Sequence, residues 1–427
     1  MTNVKSWRLT SSVLAGVLVA TMTAAPSAAA APVRGHLLPI PAAGPGGQLT
    51  VTGVDVSPLG VVGGTARVTT TGPDGNTSIV ETPYRWAAVP RLGWQKQRLT
   101  LPAGATSGAV TAVTDLGEAA GEVTVGGVTR ATRWSVSGRT ATLIGPDRSR
   151  AAAVNPAGDT WGVQTNGTDA ISGTSELVRR DGTRTPLSGT PELDAGYRRN
   201  VISVGADGSA LVAVINGAGQ GTTARPVLWK NGASVLLPVF GTPYLGVACV
   251  SRIQTDGSVI ASGYVVTNGL PRYLLLRHTG GVPGTTTILS EATVPAGPVS
   301  GLVCPSGQTV NNLAADGGIA GWVSDSSGVR TAAYWDAAGT RTVVPLAAGE
   351  RSAQGVVAAT GARMVILADG ADGTPQMSLW HNGARTPLPS PPGWTIRSVV
   401  ELTDTGLIIA NVQNPDGTIR PAAWKLR

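Results

Sequence analysis

Apolar and polar positions alternate along this chain in short runs broken by turn residues. That two-residue period belongs to half-buried β-strands, and no stretch carries the 3.6-residue period of an amphipathic helix. One hairpin signal recurs: an apolar residue, three turn-prone positions, then Gly. It occurs as VSPLG (56–60), VTDLG (113–117), VNPAG (154–158), VGADG (204–208), IQTDG (253–257), LAADG (313–317), VAATG (357–361) and LTDTG (402–406). The apolar member is Val56, Val113, Val154, Val204, Ile253, Leu313, Val357 or Leu402. Gly suits such turns because it accepts positive φ. Four residues after most of these glycines stands a small residue: Gly64, Gly121, Gly162, Ala261, Gly321 or Ala410. Small side chains there let neighbouring sheets approach closely.

A second signal follows each hairpin. A strand ends on Trp86, Trp134, Val178, Trp229, Leu276, Trp335, Trp380 or Trp424, at spacings of 48, 44, 51, 47, 59, 45 and 44. A turn and a short strand come next, often closing on Leu-Pro, as at Leu101-Pro102, Leu237-Pro238 and Leu388-Pro389. A period of about 45 residues with four short strands per unit is that of β-propeller blades. The expected fold is an all-β, eight-bladed propeller of four-stranded blades; seven blades is the alternative, because the seventh unit has the poorest turn. The last unit stops at Trp424-Lys425-Leu426-Arg427 without a fourth strand, while Arg34 to Pro39 has the sequence of one. The N-terminal strand is therefore expected to complete the last blade, which removes an exposed sheet edge.

Composition narrows the class. Only 13% of residues are charged, against about 25% in a typical domain. There are 58 Gly, 11 Trp and one Phe. A coiled coil, a disordered tail and a Cys-rich scaffold are all excluded. Residues 1–30 read as a secretory signal peptide, with Lys5 and Arg8 before an apolar run and Ala28-Ala29-Ala30 at the cleavage site. Residues 31–427 then form one propeller domain, secreted and not inserted in a membrane. Cleavage lowers the net charge from +7 to +5, with no basic run, so nucleic acid is not an expected partner.

In a propeller the first strand of each blade lines a central channel. One position before the apolar hairpin residue stand Asp55, Ala112, Ala153, Ser203, Arg252, Asn312, Val356 and Glu401. Asp55 and Glu401 fall on neighbouring blades, and two carboxylates there are candidate acid/base groups. The bland reading is hydrated polar lining. Longer loops, at 65–82, 165–175, 188–200 and 290–309, gather on one face. That face carries the binding candidates Tyr197, Arg198, Arg199, Tyr244 and Trp394. Trp94 and Trp394 fall outside the repeat pattern and are the candidates for exposed indoles, on opposite faces. Cys249 and Cys304 are expected to pair as a disulfide in an exported protein, with two buried thiols as the alternative. No HExxH, G-x-S-x-G, P-loop or dinucleotide motif occurs, so neither a metal nor a cofactor is expected.

The unit resembles the repeats of bacterial extracellular HAF-repeat proteins. VNPAGDTWG (154–162) and AADGGIAGW (314–322) resemble their hairpin; PVLWKNGASVLLP (226–238) and SLWHNGARTPLP (378–389) resemble the other half. The His-Ala-Phe triplet itself is replaced by Tyr-Arg-Trp, Thr-Arg-Trp or Ala-Tyr-Trp. The resemblance implies secretion and repeats and carries no catalytic residue. The functional expectation is a monomeric, non-catalytic binding module for an extracellular glycan or protein. The alternatives are an exported carbohydrate-active hydrolase or lyase, and a purely structural surface protein.

Overall fold

The computed structural model describes residues 33–44, 47–57, 59–89, 92–167, 173–194, 198–216, 223–237, 249–250, 252–254, 256–267, 270–293 and 312–426. The chain divides into Met1–Pro32, outside the described residues, and Val33–Arg427, to which all that follows refers. The described part is all-β, apart from one helical turn at Pro191–Asp194. Strands succeed one another as antiparallel meanders, each strand hydrogen-bonded to the next in sequence. Four-stranded sheets are formed by 105–147, 149–186, 198–236, 249–293 and 350–387. A three-stranded sheet spans 319–343, and an isolated bridge from Leu313 to Ile319 precedes it. The remaining sheet has eight strands. It holds the meander 47–98 and the meander 395–425, joined by one parallel bridge between Thr50 and Ile419. His36–Leu37 pairs with the last strand of the chain, His36 opposite Ala423 and Leu37 opposite Ala422.

Two contacts recur among the meanders. The apolar anchors at the end of the third strands are all buried, Val178 and Leu276 as fully as the Trp residues. Four indoles donate their N–H to a backbone carbonyl just past the fourth strand of the preceding meander. Trp134 donates to Thr100 (2.8 Å), Trp229 to Ser188 (3.1 Å) and Trp424 to Pro389 (3.0 Å). Trp86 makes the same bond to Pro39 at the chain's start (2.5 Å). The second contact is a buried residue at the end of the fourth strand, whose N–H returns to the third. Leu99, Leu187, Leu237, Val344 and Leu388 donate to Pro83, Ser175, Pro226, Ala332 and Met377 at 2.8–3.0 Å. Leu38 does so to Pro421 at 3.0 Å. Amide pairing and full burial of an apolar side chain thus coincide at one residue, which fixes strand register.

Two local expectations are corrected. In the first meander the fourth strand closes at Arg98, and Leu99, not Leu101, is the buried leucine. The stretch 65–82 is no loop. It extends two strands, Val62–Thr71 and Thr77–Val89, around a turn at 72–76. The seventh hairpin has its own turn chemistry as well. Gly361 and Ala362 both take positive φ (77° and 54°) in the three-residue loop between the paired residues Ala359 and Arg363.

Sheets do approach closely where glycine recurs. A Cβ on Gly162 would lie 2.4 Å from Val201 Cγ1 on the next meander.

Candidate functional site: an acid and arginine cluster in a central cavity

Six first strands contain a register shift near their ends: Thr52/Asp55, Val110/Ala112, Ala151/Ala153, Val201/Ser203, Gly355/Val357 and Val399/Glu401. A bulge turns the following side chain out of the regular pleat. Asp55, Ala112, Ala153, Ser203, Arg252, Asn312, Val356 and Glu401 all line one cavity of about 840 Å³. The row expected from the sequence to face a channel lines this cavity. No signal in the sequence announces the bulges themselves.

Two side chains of this row staple the wall. The Asp55 carboxylate accepts the Val113 N–H at 2.7 Å, and the Ser203 hydroxyl accepts the Ile253 N–H at 3.1 Å. Each bond runs from one meander to the apolar hairpin residue of the next. Asn312 donates its Nδ2 to the Ala320 carbonyl at 3.4 Å. Its buried Oδ1 has no partner among the described residues.

Asp55 and Glu401 are brought together, as their neighbouring positions led one to expect, and a cation joins them. Arg252 Nη2 forms an ion pair with Asp55 Oδ1 and lies 3.8 Å from Glu401 Oε2. Asp55 and Glu401 keep only 14% and 7% of their side chains exposed, and Arg252 keeps 32% because it faces the cavity. Asp55 raises the pKa of Arg252 above the ordinary guanidinium value; burial opposes this, and Glu401 and Asp115 add to it. Asp115 stands in the turn after the second meander's first strand and lines the same cavity. Burial pushes its carboxyl above the usual carboxylate range, with Arg252 opposing and Asp55 reinforcing the rise. Sequence reasoning passed over Asp115 because Asp in a Gly turn needs no other explanation.

The opposite end of the cavity is different. Arg150 and Arg397 stand near the starts of first strands, and Arg330 at the start of a third strand. All three line the cavity. Arg330 donates to Gln354 Oε1 at 3.3 Å.

The surface candidates fare otherwise. Tyr197 and Tyr244 lie outside the described residues. The Arg198 side chain does too, although its backbone opens a strand at Arg198–Val204. Arg199 is corrected: it is buried and donates Nη1 to the Leu187 carbonyl at 3.1 Å, which ties two meanders together. Burial lowers its pKa. Trp394 is not an exposed platform. It packs on a core cluster, with the Arg420 guanidinium 5.5 Å from its ring centroid. Trp94 likewise packs against a core cluster. The expected Cys249–Cys304 disulfide lies outside what is described, since Cys304 is masked and only the backbone of Cys249 is placed.

No protein family and no curated protein matches the chain. Solved structures do. The β-propeller domain of the Trilobed protease from Pyrococcus furiosus aligns at 8% identity and TM-score 0.45, over 89% of this chain and 94% of that one. Prolyl oligopeptidase B from Galerina marginata aligns at 9% identity and TM-score 0.46, over 86% of this chain and 55% of that one. A puromycin hydrolase aligns at 16% identity and TM-score 0.42, over 90% of this chain and 61% of that one. The chain thus spans little more than half the length of these two enzymes. At these identities the likeness concerns the fold alone.

Proposed function

We propose that the chain is an exported hydrolase of glycans, built as an eight-bladed β-propeller with its reactive groups in the central cavity. The observation that carries the reading is the contact of Asp55 and Glu401 with one guanidinium, Arg252, beside Asp115. Glycoside hydrolysis asks for two carboxyl groups in different protonation states facing one space. Burial favours the protonated form of Asp115, which suits a proton donor to the leaving glycosidic oxygen. Arg252 and the Val113 N–H favour the ionised form of Asp55, which suits the carboxylate that stabilises positive charge developing on the sugar. Water then adds its hydroxyl to the anomeric carbon, and its proton restores the Asp115 acid. Glu401 and Arg252 act as positioning residues.

Eight blades are supported by the recurrence of the meander and by the eight-residue row around one cavity. Closure through the N-terminal strand is supported by the pairing of His36–Leu37 with the last strand, by Leu38, and by the Trp86–Pro39 bond. Export rests on the pattern of residues 1–30, and soluble secretion of residues 31–427 follows from it.

The test is release of soluble sugar from cell-wall and plant polysaccharides by the purified protein. Asp55→Asn and Asp115→Asn should each lower the rate by roughly a hundredfold or more. The rate should fall as pH rises through the Asp115 pKa, and Asp115→Asn should remove that limb. No sugar release from any polysaccharide, or full activity in Asp55→Asn, rejects the reading.

A further inference from the structure

The two ends of the cavity carry opposite charge, and this bears on what enters it. At the hairpin end stand Asp55, Asp115 and Glu401 around the single cation Arg252. At the other end stand Arg150, Arg330 and Arg397, with Asp369 the acid in the lining. Asp369 accepts the Ser352 hydroxyl at 2.7 Å. Glu122 lies within electrostatic range of Arg150; burial raises its carboxyl pKa and Arg150 opposes the rise, and even with Glu122 ionised the three arginines outnumber the acids at this end. The arginine end therefore keeps a net positive field inside a concave, partly enclosed wall, where low-dielectric surroundings focus it. Planar guanidinium groups match carboxylate and sulfate oxygens in paired hydrogen bonds. Arg397 and Glu401 lie on one strand, Thr395–Leu402, four residues apart. At about 3.3 Å per residue the two ends are roughly 13 Å apart, a span that holds a short oligosaccharide and not a single sugar.

We propose that the cavity selects an anionic glycan, of the uronic-acid or sulfated class, and binds its negative groups at Arg150, Arg330 and Arg397. The inference rests on the hydrolase reading and names its substrate class. The field orients the chain. A negative group is drawn to the arginine end and repelled from the acid cluster, so the bond presented to Asp55 and Asp115 lies a fixed distance from the bound anion.

Calorimetric titration with oligogalacturonate, and with a neutral xylo-oligosaccharide of equal length, tests this. The oligogalacturonate should bind at least tenfold more tightly, and the preference should shrink as salt is raised. Arg397→Gln and Arg330→Gln should each weaken binding by roughly tenfold, with Arg397→Lys recovering part of the loss. Asp55→Asn should still bind the oligogalacturonate while failing to cleave it. Equal affinity for the two sugars, or unchanged affinity in Arg397→Gln, overturns the proposal. Cleavage of the neutral sugar with that equal affinity would leave the hydrolase reading intact. Tight, arginine-dependent binding without cleavage by the parent would uphold the anion site and reject the hydrolase.

Discussion

Asp55 has two partners, and both lie on other meanders: the Val113 N–H and the Arg252 guanidinium. A single carboxylate is therefore part of the wall and part of the charge cluster. Arg252 and Asp55 are 197 positions apart, so no local pattern could have joined them. Their shared place in the repeat row was legible, because that row depends only on counting back from each hairpin. Asp115 was not, since its sequence context is an ordinary turn. The arginine end was missed for another reason: Arg150, Arg330 and Arg397 occupy different repeat positions and meet only through the fold. Glu122 shows how the same physics acts on stability. Its folded pKa is raised, first by burial, above the unfolded value of about 4.3. Its contribution to stability is therefore present below the unfolded pKa and is lost as pH rises through the folded one. Glu122→Gln should be at least as stable as the parent at neutral pH, and its advantage should vanish near pH 4. Denaturant midpoints at the two pH values check this; an advantage that grows with acidity would refute it.

At the scale of the element, meander identity was readable because each unit repeats a hairpin glycine and an aromatic or apolar anchor. Val178 and Leu276 replace Trp at two anchors and are equally buried, so burial and not indole chemistry is the common requirement. Strand register was less legible. Leu99 and Leu101 fit the buried position equally by pattern, and only the return of the Leu99 amide to Pro83 decides between them. Gly162 sits where two sheets nearly touch, 2.4 Å from Val201 for an added Cβ. Gly162→Ala should destabilise by about 1–3 kcal/mol through overpacking. Gly75, at an exposed turn with open space around it, serves as a contrast, since Gly75→Ala carries only the strain of its positive φ. Within the meander 350–387, Arg385 clasps Glu350 through two nitrogens, and the Glu350 side chain is only 3% exposed. Glu350→Ala leaves a buried guanidinium without its counter-charge, and should cost about 3–5 kcal/mol by thermal or denaturant unfolding.

Over the whole molecule, the two ends of the described chain share one sheet. Leu38 is fully buried and its amide bonds to Pro421; Arg420 in turn donates to the Leu38 carbonyl. Leu38→Ala should destabilise the protein by about 2–5 kcal/mol, a loss measurable as a lower midpoint in urea and out of proportion to a residue so near a chain end. If Leu38→Ala unfolds at the same urea concentration as the parent, that strand is not part of the cooperative unit. The pairing also sets the order of events in the life of the chain. Leu38 and Arg420 are 382 positions apart, so the first strand has no partner until nearly every residue has been made. A nascent chain must wait, unsealed, for its own tail.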